Sequence, residues 1–394
     1  MKKGDSIILP KGWEIKKLGE ICENLDSRRI PITKHLRDAG KYPYYGASGI
    51  VDYVADFIFD DDLLLVSEDG ANLFARTYPI AFSIKGKVWV NNHAHILKFT
   101  NQFTQIYVEF YLNYIHLDEY ITGMAQPKLN QQKLNSITIP FPSSTEQQRI
   151  VQILDEAFEK IDILKANAER NLQNAKELFQ SALTEELKPR KGWEVNKLIE
   201  ITTKIGSGAT PRGGSESYKS EGISLVRSMN VHDFEFRAKN LAFIDEQQAK
   251  DLNNVTLQEN DVLFNITGAS VTRCCIVPKE YLPARVNQHV SIIRLKKDIL
   301  EPIFLNLLLT SKYYKDQLLS TGAQGATRQA ITKVQLEVFE ISYPKSIKVQ
   351  QIIVEHLDAL SAHCKELEAN YQKTIAQCEE MKKAVLGKAF RGEL

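Results

Sequence analysis

The sequence predicts an α+β protein. Two similar globular domains are joined and separated by two long helices that form an antiparallel coiled coil, and the whole is a pseudo-two-fold, circularly symmetric repeat. Three observations carry this reading. Residues 146–187 hold no glycine or proline and are dense in helix formers. Residues 347–394 show the same spacing of apolar side chains. Short strings recur in the same order in both halves of the 394-residue chain.

In the first helix Ile150, Leu154, Ala157, Ile161, Leu164, Ala168, Ala175, Leu178 and Ala182 fall on alternating steps of three and four, with Asn171 interrupting. That is a heptad seam. One helix cannot bury such a stripe alone. The second helix offers a matching one in Ile353, Leu357, Leu360, Cys364, Leu367, Tyr371, Cys378, Met381 and Val385. Pro189 stops the first helix. At 1.5 Å per residue it spans roughly 60 Å.

Internal repeats place the domains. GWEIKKLGEI at 12–21 returns as GWEVNKLIEI at 192–201, DLLLVSEDGA at 62–71 as DVLFNITGA at 261–269, and VNNHA at 90–94 as VNQHV at 286–290. Gly123, Leu129, Leu134, Ile139 and Pro142 match Gly325, Ile331, Leu336, Ile341 and Pro344, and EQQRIVQILD at 146–155 matches VQQIIVEHLD at 349–358. The expected division is a first domain over 1–145, a helix over 146–187, a second domain over 188–346 and a helix over 347–394. Short β-rich runs such as DLLLVSE and IAFSIKGKVWV, with helical spacing at 104–121 and 302–319 and no βαβ alternation, give the α+β class. EEL at 185–187 leads through KPRK into GWE, and the second helix ends in GEL while the chain begins MKKGDSIILPKGWE. Joining the ends would reproduce the middle junction, hence the circular symmetry.

Composition bounds the function. Hydrophobic content of 43% and charged content of 25% suit a soluble globular protein. No apolar run reaches a membrane span, and the start is too weakly apolar for a signal peptide. Five cysteines without C-x-x-C spacing read as reduced thiols of a cytoplasmic protein. Net charge is +1, so nucleic-acid binding would need local patches. Residues 188–240 hold ten Lys/Arg against six Asp/Glu, a modest basic excess that a solvated face explains equally well.

Enzyme motifs are missing. The sequence has no G-x-x-x-x-G-K-[ST], no H-E-x-x-H, no zinc spacing of Cys and His, and no [DNS]-P-P-[YF] of the kind an amino-methylating enzyme uses. His93 and His95 lie two apart and would share a strand face as metal ligands. The plainer reading is that one packs and the other hydrogen-bonds, and no metal is expected. Asp60, Asp61 and Asp62 read as a solvated turn.

The loops instead carry groups that suit base edges and phosphates. Asn and Gln fit adenine N6/N7, Arg fits guanine O6/N7, Ser and Thr adapt, and glycine-rich backbone approaches phosphates. The candidates are Tyr44, Tyr45, Ser48, Asn72, Asn91, Asn92, His93, Gln126 and Lys128 in the first domain. In the second they are Thr210, Arg212, Arg227, Asn230, Thr267, Arg273, Asn287, Gln288, Gln324 and Arg328. Each alone reads as readily as an ordinary turn. The coiled-coil seam is expected to bury Ile150, Leu154, Ile161, Leu164, Leu178, Ile353, Leu357, Leu360, Leu367 and Met381.

Taken together, the GWE-x-x-x-L start, the YYGASGI, EDGANL and VNNHAH strings, the IPFP ending and the E-Q-Q-x-I-V-x-x-L-D helix, all repeated, resemble the specificity subunit of type I restriction–modification enzymes. The resemblance covers nearly the whole chain. It implies two target-recognition domains, each reading one half of a bipartite site in double-stranded DNA, and a coiled coil that sets the spacer. It implies two modification subunits that bind S-adenosylmethionine and methylate adenine, and restriction subunits that use ATP and Mg. It implies that this chain is not itself an enzyme and binds no cofactor. The rival readings are a non-catalytic protein-binding scaffold on the same coiled coil, which leaves the duplicated loops without a role, and a lone methyltransferase, against which the missing motif argues.

Overall fold

The computed structural model describes residues 9–123, 125–322 and 330–394. The chain divides into two compact units: one of residues up to 169 together with 372–394, and one of residues 170–371. Each unit holds one globular domain and parts of both long helices.

In the first unit a six-stranded sheet runs in the order Glu23–Asn24, Ala94–Lys98, Phe59–Ser67, Ala81–Val90, Ala39–Gly46, Gly49–Val54. All pairs are antiparallel except Ala39–Gly46 beside Ala81–Val90. The central strand Phe59–Ser67 is buried on both faces over Leu63–Ser67, which explains its unbroken apolar run. The helix Gln102–Tyr114 is capped by Asn101, whose side chain accepts from the amides of Phe103 and Thr104. A two-stranded ribbon pairs Glu14–Lys17 with Thr138–Phe141. The second unit repeats that ribbon as Glu194–Lys197 with Glu340–Tyr343. Its main sheet is split into a four-stranded piece and a three-stranded piece, and the latter keeps the one parallel pair, Ile223–Val226 with Ala284–Val286. Pro278 and Pro283 fall between Cys274–Ile276 and Ala284–Val286, where the first unit has the single strand Ala81–Val90. Proline donates no ladder hydrogen bond, so the strand breaks there.

The long helices are Ser144–Leu187 and Ile347–Arg391. Within the first unit Lys165 pairs with Glu379 at 2.5 Å and Asp162 with Lys382 at 2.6 Å. Within the second, Cys364 contacts the Phe179 backbone and His356 lies 3.9 Å from Glu186. As one number rises the other falls, so the helices run antiparallel in each unit.

The seam differs from expectation at Leu164, Leu178 and Met381. Ile150, Leu154, Ile161, Ala168 and Ala175 are buried, but Leu164 and Leu178 are 44% and 50% exposed. Lys165 and Phe179, one residue later, take their places, and with Phe158 and Leu172 they form the half-buried column of the seam. A repeat of seven can be phased three-then-four or four-then-three from Leu154, and packing takes the second. That phase also puts Asn171 in solvent, outside the seam. On the second helix Leu357, Cys364 and Cys378 are buried and Ile353, Leu360 and Leu367 half-buried, but Met381 is 46% exposed. Lys382 replaces it, with its ammonium 5.1 Å above the Phe158 ring. Lysine lays its methylenes along the seam and keeps its charge outside, on Asp162.

Each helix end completes a domain core. In the first unit Leu386, Ala389 and Phe390 join Tyr107, Tyr111 and Leu112. Phe390 stands 5.4, 4.9 and 5.4 Å from the rings of Tyr107, Tyr111 and Tyr114. Gly387 admits Tyr114, whose Oη would lie 3.1 Å from a Cβ there. Gly392, at φ 68°, sits so close to the start of the chain that a Cβ would meet Pro10 Cγ at 2.3 Å. In the second unit Leu183 and Leu187 fill the core beside Phe304. Among the described residues no helix is long and apolar enough to cross a membrane.

Candidate nucleic-acid interface

In the first unit four loops are tied into one cluster by backbone bonds. The amide of Asn91 donates to Tyr45 O (3.0 Å), that of Glu68 to His93 O (2.9 Å), and that of Leu129 to Glu68 O (2.8 Å). Asp69 and Lys128 form a β-bridge, and Ser67 Oγ donates to Ala47 O at the tip of the hairpin formed by Ala39–Gly46 and Gly49–Val54. Asn91 Oδ1 accepts from the His93 amide (2.8 Å), an Asx turn that fixes the loop. Gly70, at φ 107°, makes a turn a side chain would strain.

The second unit rebuilds this frame bond for bond. Asn287 donates to Val226 O (3.1 Å), Ile266 to His289 O (3.0 Å) and Ile331 to Ile266 O (2.8 Å). Thr267 and Ala330 form the bridge, and Asn265 Nδ2 donates to Ser228 O (2.9 Å). Asn287 Oδ1 accepts from the His289 amide (3.0 Å), and Gly268 takes φ 75°.

Beneath the first cluster lies a buried ionic network. His95 Nδ1 hydrogen-bonds Asp26 Oδ2 (2.5 Å) and Nε2 hydrogen-bonds Leu129 O (2.6 Å). Both of its nitrogens face oxygen atoms. Arg29 pairs with Glu68 at 2.5 Å and lies 3.6 Å from Asp26, and Lys128 reaches Glu68 at 3.0 Å. Burial works to raise the Asp26 and Glu68 carboxyls. The bonds from His95 to Asp26, and from Arg29 and Lys128 to Glu68, outweigh it and hold both below the usual carboxylate range. Asp26, Glu68 and His95 bring potential ligand atoms within 4.8 Å of one another. Each of the three already has protein partners: His95 bonds Asp26 and Leu129 O, and Arg29 and Lys128 sit on Glu68, so the network ties the loops together as an ionic cluster. His93 and His95 do not share a face. His93 is exposed, with Nδ1 on Asp69 at 2.8 Å.

Of the residues singled out in the sequence, Ser48, Asn92, His93, Gln126 and Lys128 are exposed on or beside the first cluster. Tyr44 is 1% exposed, and its hydroxyl bonds Ile32 N and O. It is a core residue, as is Asn91. Tyr45 is half-buried against Phe82, and Asn72 staples Thr77 and Tyr78. In the second unit Arg212 and Gln288 are exposed, and Thr210, Thr267 and Arg273 are half-buried. Thr210 Oγ1 donates to Gln288 Oε1, Gln288 Nε2 to His289 Nε2 (3.1 Å), and His289 Nδ1 to Thr267 Oγ1 (2.6 Å), one oriented chain. Arg273 NH1 lies 3.5 Å from His232 Nδ1. Asn230 is fully buried, bonded to Arg227 N and Arg237 O, and Asn287 is buried too, so neither side chain is placed to read a base. The Arg227 guanidinium is held by Asn240 O and the Tyr218 ring, and so reads as a structural clamp. Gln324 and Arg328 lie outside the described residues. Asp69, His289 and Met229 stand on the same frame and are not singled out by the sequence reading, although the first two lie in strings that the repeat marks.

The comparisons fit this duplicated frame. The family model for the type I restriction modification DNA specificity domain matches residues 10–173 and again 190–377. The chain belongs to that specificity family. It is 34% identical over 142 residues to a putative type I restriction enzyme specificity subunit of Haemophilus influenzae, a match covering 36% of each chain. It is 24% identical over 292 residues to the EcoBI specificity subunit of Escherichia coli, covering 68% of this chain and 60% of that one. It is 24% identical to the MjaIX specificity subunit of Methanocaldococcus jannaschii over all of this chain and 96% of that one. The chain thus spans less than two thirds of the first two relatives and nearly all of the third. In fold it matches a chain from the assembled type I R-M system (TM-score 0.74, 20% identity, 98% and 99% covered). It also matches the HsdS subunit of Thermoanaerobacter tengcongensis (TM-score 0.62, 18% identity, 98% of both). The two family matches fall on the two copies of the loop frame.

Proposed function

We propose that this chain is the DNA-reading, non-catalytic subunit of a cytoplasmic type I restriction–modification complex. Each unit reads one half of a bipartite site in double-stranded DNA. The paired helices set the spacer and dock two adenine-methylating modification subunits and, through them, the restriction subunits. S-adenosylmethionine, ATP and Mg belong to those partners, and this chain binds no cofactor.

One observation carries the reading: an identical backbone frame is built twice and presents different side chains, exposed Ser48, Asn92 and Lys128 in one copy and exposed Met229 and Gln288 with half-buried Ala330 in the other. A constant frame with variable tips suits two reading heads for two different half-sites. Docking is supported by the flank of the coiled coil. Leu164 and Met381 in the first unit, and Leu178 in the second, are exposed on positions next to the seam. Exposed apolar side chains along a paired-helix flank suit the face of a further helix.

The test is to assemble the chain with its modification subunits and map methylated adenines by sequencing. A bipartite, asymmetric site is expected. An assembly that methylates without sequence preference, or binds random and cognate duplexes equally, overturns the reading.

A further inference from the structure

The repeated frame pairs residues across the two units without any appeal to sequence similarity. Asn91 donates to Tyr45 O as Asn287 does to Val226 O, so Ser48 answers to Met229. Glu68 stands where Ile266 stands, so Asp69 answers to Thr267, and both hold the histidine that follows the Asx turn. Asn92 answers to Gln288 between the same flanking bonds. The β-bridges pair Lys128 with Ala330.

We propose that the half-site each unit reads is set by four paired positions on this frame: Ser48 and Met229, Asp69 and Thr267, Asn92 and Gln288, Lys128 and Ala330. The inference rests on the DNA-reading function above. Residues common to both copies are spent on geometry: Asn91 and Asn287 are buried with their oxygens on backbone amides, and Gly70 and Gly268 turn the chain. The four differing positions lie on the same backbone and change only chemistry.

Their chemistry is opposed. In the first unit Asp69 takes His93 Nδ1, and Nε2 has no protein partner among the described residues, so an imidazole edge is on offer. In the second unit His289 is closed at both nitrogens, by Thr267 and by Gln288. The same histidine reads in one copy and braces Gln288 in the other. Ser48 presents a hydroxyl, whereas Met229, 44% exposed, presents a thioether that suits a thymine methyl. Lys128, 3.0 Å from Glu68, keeps its ammonium half in solvent, where it suits a phosphate, and Ala330 has none.

The experiment exchanges the set in the full chain assembled with its modification subunits: Ser48→Met, Asp69→Thr, Asn92→Gln and Lys128→Ala together. Methylation mapping is expected to give an altered first half-site and an unchanged second one, with the slope of log affinity against log salt reduced by about 1. The reciprocal set, Met229→Ser, Thr267→Asp, Gln288→Asn and Ala330→Lys, is expected to alter the second half-site alone. Circular dichroism and melting establish that each variant is folded. Folded variants that keep both wild-type half-sites overturn the inference and leave the DNA-reading function standing. Loss of folding in both sets also overturns it, because the positions then belong to the frame. A wild-type assembly without a bipartite site overturns the function itself.

Discussion

Phe390 lies near the end of the second long helix and is 4% exposed, ringed by Tyr107, Tyr111 and Tyr114 of the first domain. Phe390→Ala removes roughly 150 Å² of buried apolar surface, worth about 4 kcal/mol at about 25 cal/mol per Å². Aromatic-to-alanine changes in cores cost about 3–5 kcal/mol once the cavity is included. The loss should be confined to the first unit. Leu183, four residues before the end of EEL as Phe390 is four before the end of GEL, fills the corresponding place in the second unit, so Phe390→Leu should cost only about 1 kcal/mol. Hydrogen–deuterium exchange of the assembled chain separates the units. The opening free energy of helix Gln102–Tyr114 should fall by about 3–5 kcal/mol, while that of Pro302–Thr310 stays put. A fall below about 1 kcal/mol in the first unit, or an equal fall in both, would refute the claim that the helix end completes the first core.

Three further outcomes are expected. The depressed Asp26 and Glu68 carboxyls stabilise the first unit at pH above their unfolded values of about 3.9 and 4.3, and this is lost as pH falls through the lower folded values. Asp26→Asn should flatten that acid limb, and an unchanged pH–stability curve would count against the network. Leu172→Ala, on the seam, should cost about 1–2 kcal/mol in urea denaturation and Leu178→Ala, off it, under about 0.5, and the reverse order would restore the other phase. Four residues inserted after Asn167 shift the helix by about 6 Å and rotate it by roughly 40°. Methylation mapping should then find a changed spacer or no site, with half-sites intact wherever modification persists. Altered half-site bases at an unchanged spacer would contradict the proposal.

Much of this architecture can be read from residues. The repeat is legible because the frame demands particular types at particular places: a Gly at 70 and 268 for the positive φ, an Asn at 91 and 287 for the Asx turn. The same demand misleads about the site, since Asn91, Asn230 and Asn287 have the chemistry of base readers but use it on backbone. The helices are legible as a seam of period seven, but not its phase. Lys165 and Lys382 stand in the seam and disguise it, while Leu164, Leu178 and Met381 advertise the wrong column. The Asp26–Glu68–His95–Arg29 network joins residues far apart in sequence and leaves no local pattern. The second copy has Ile266 and Ser291 in the places of Glu68 and His95, so the repeat gave no hint of it either.

The second unit is one unbroken stretch of chain, residues 170–371, whereas the first is assembled from both ends. Synthesis delivers the chain from residue 1 onward, and domains fold as they become available. The domain that leaves the ribosome first is therefore the last to be finished. It waits, with the slot for Phe390 open, until translation has passed residue 390. A stop before residue 386 would spare the second head and blunt the first, whose own residues end more than two hundred positions earlier.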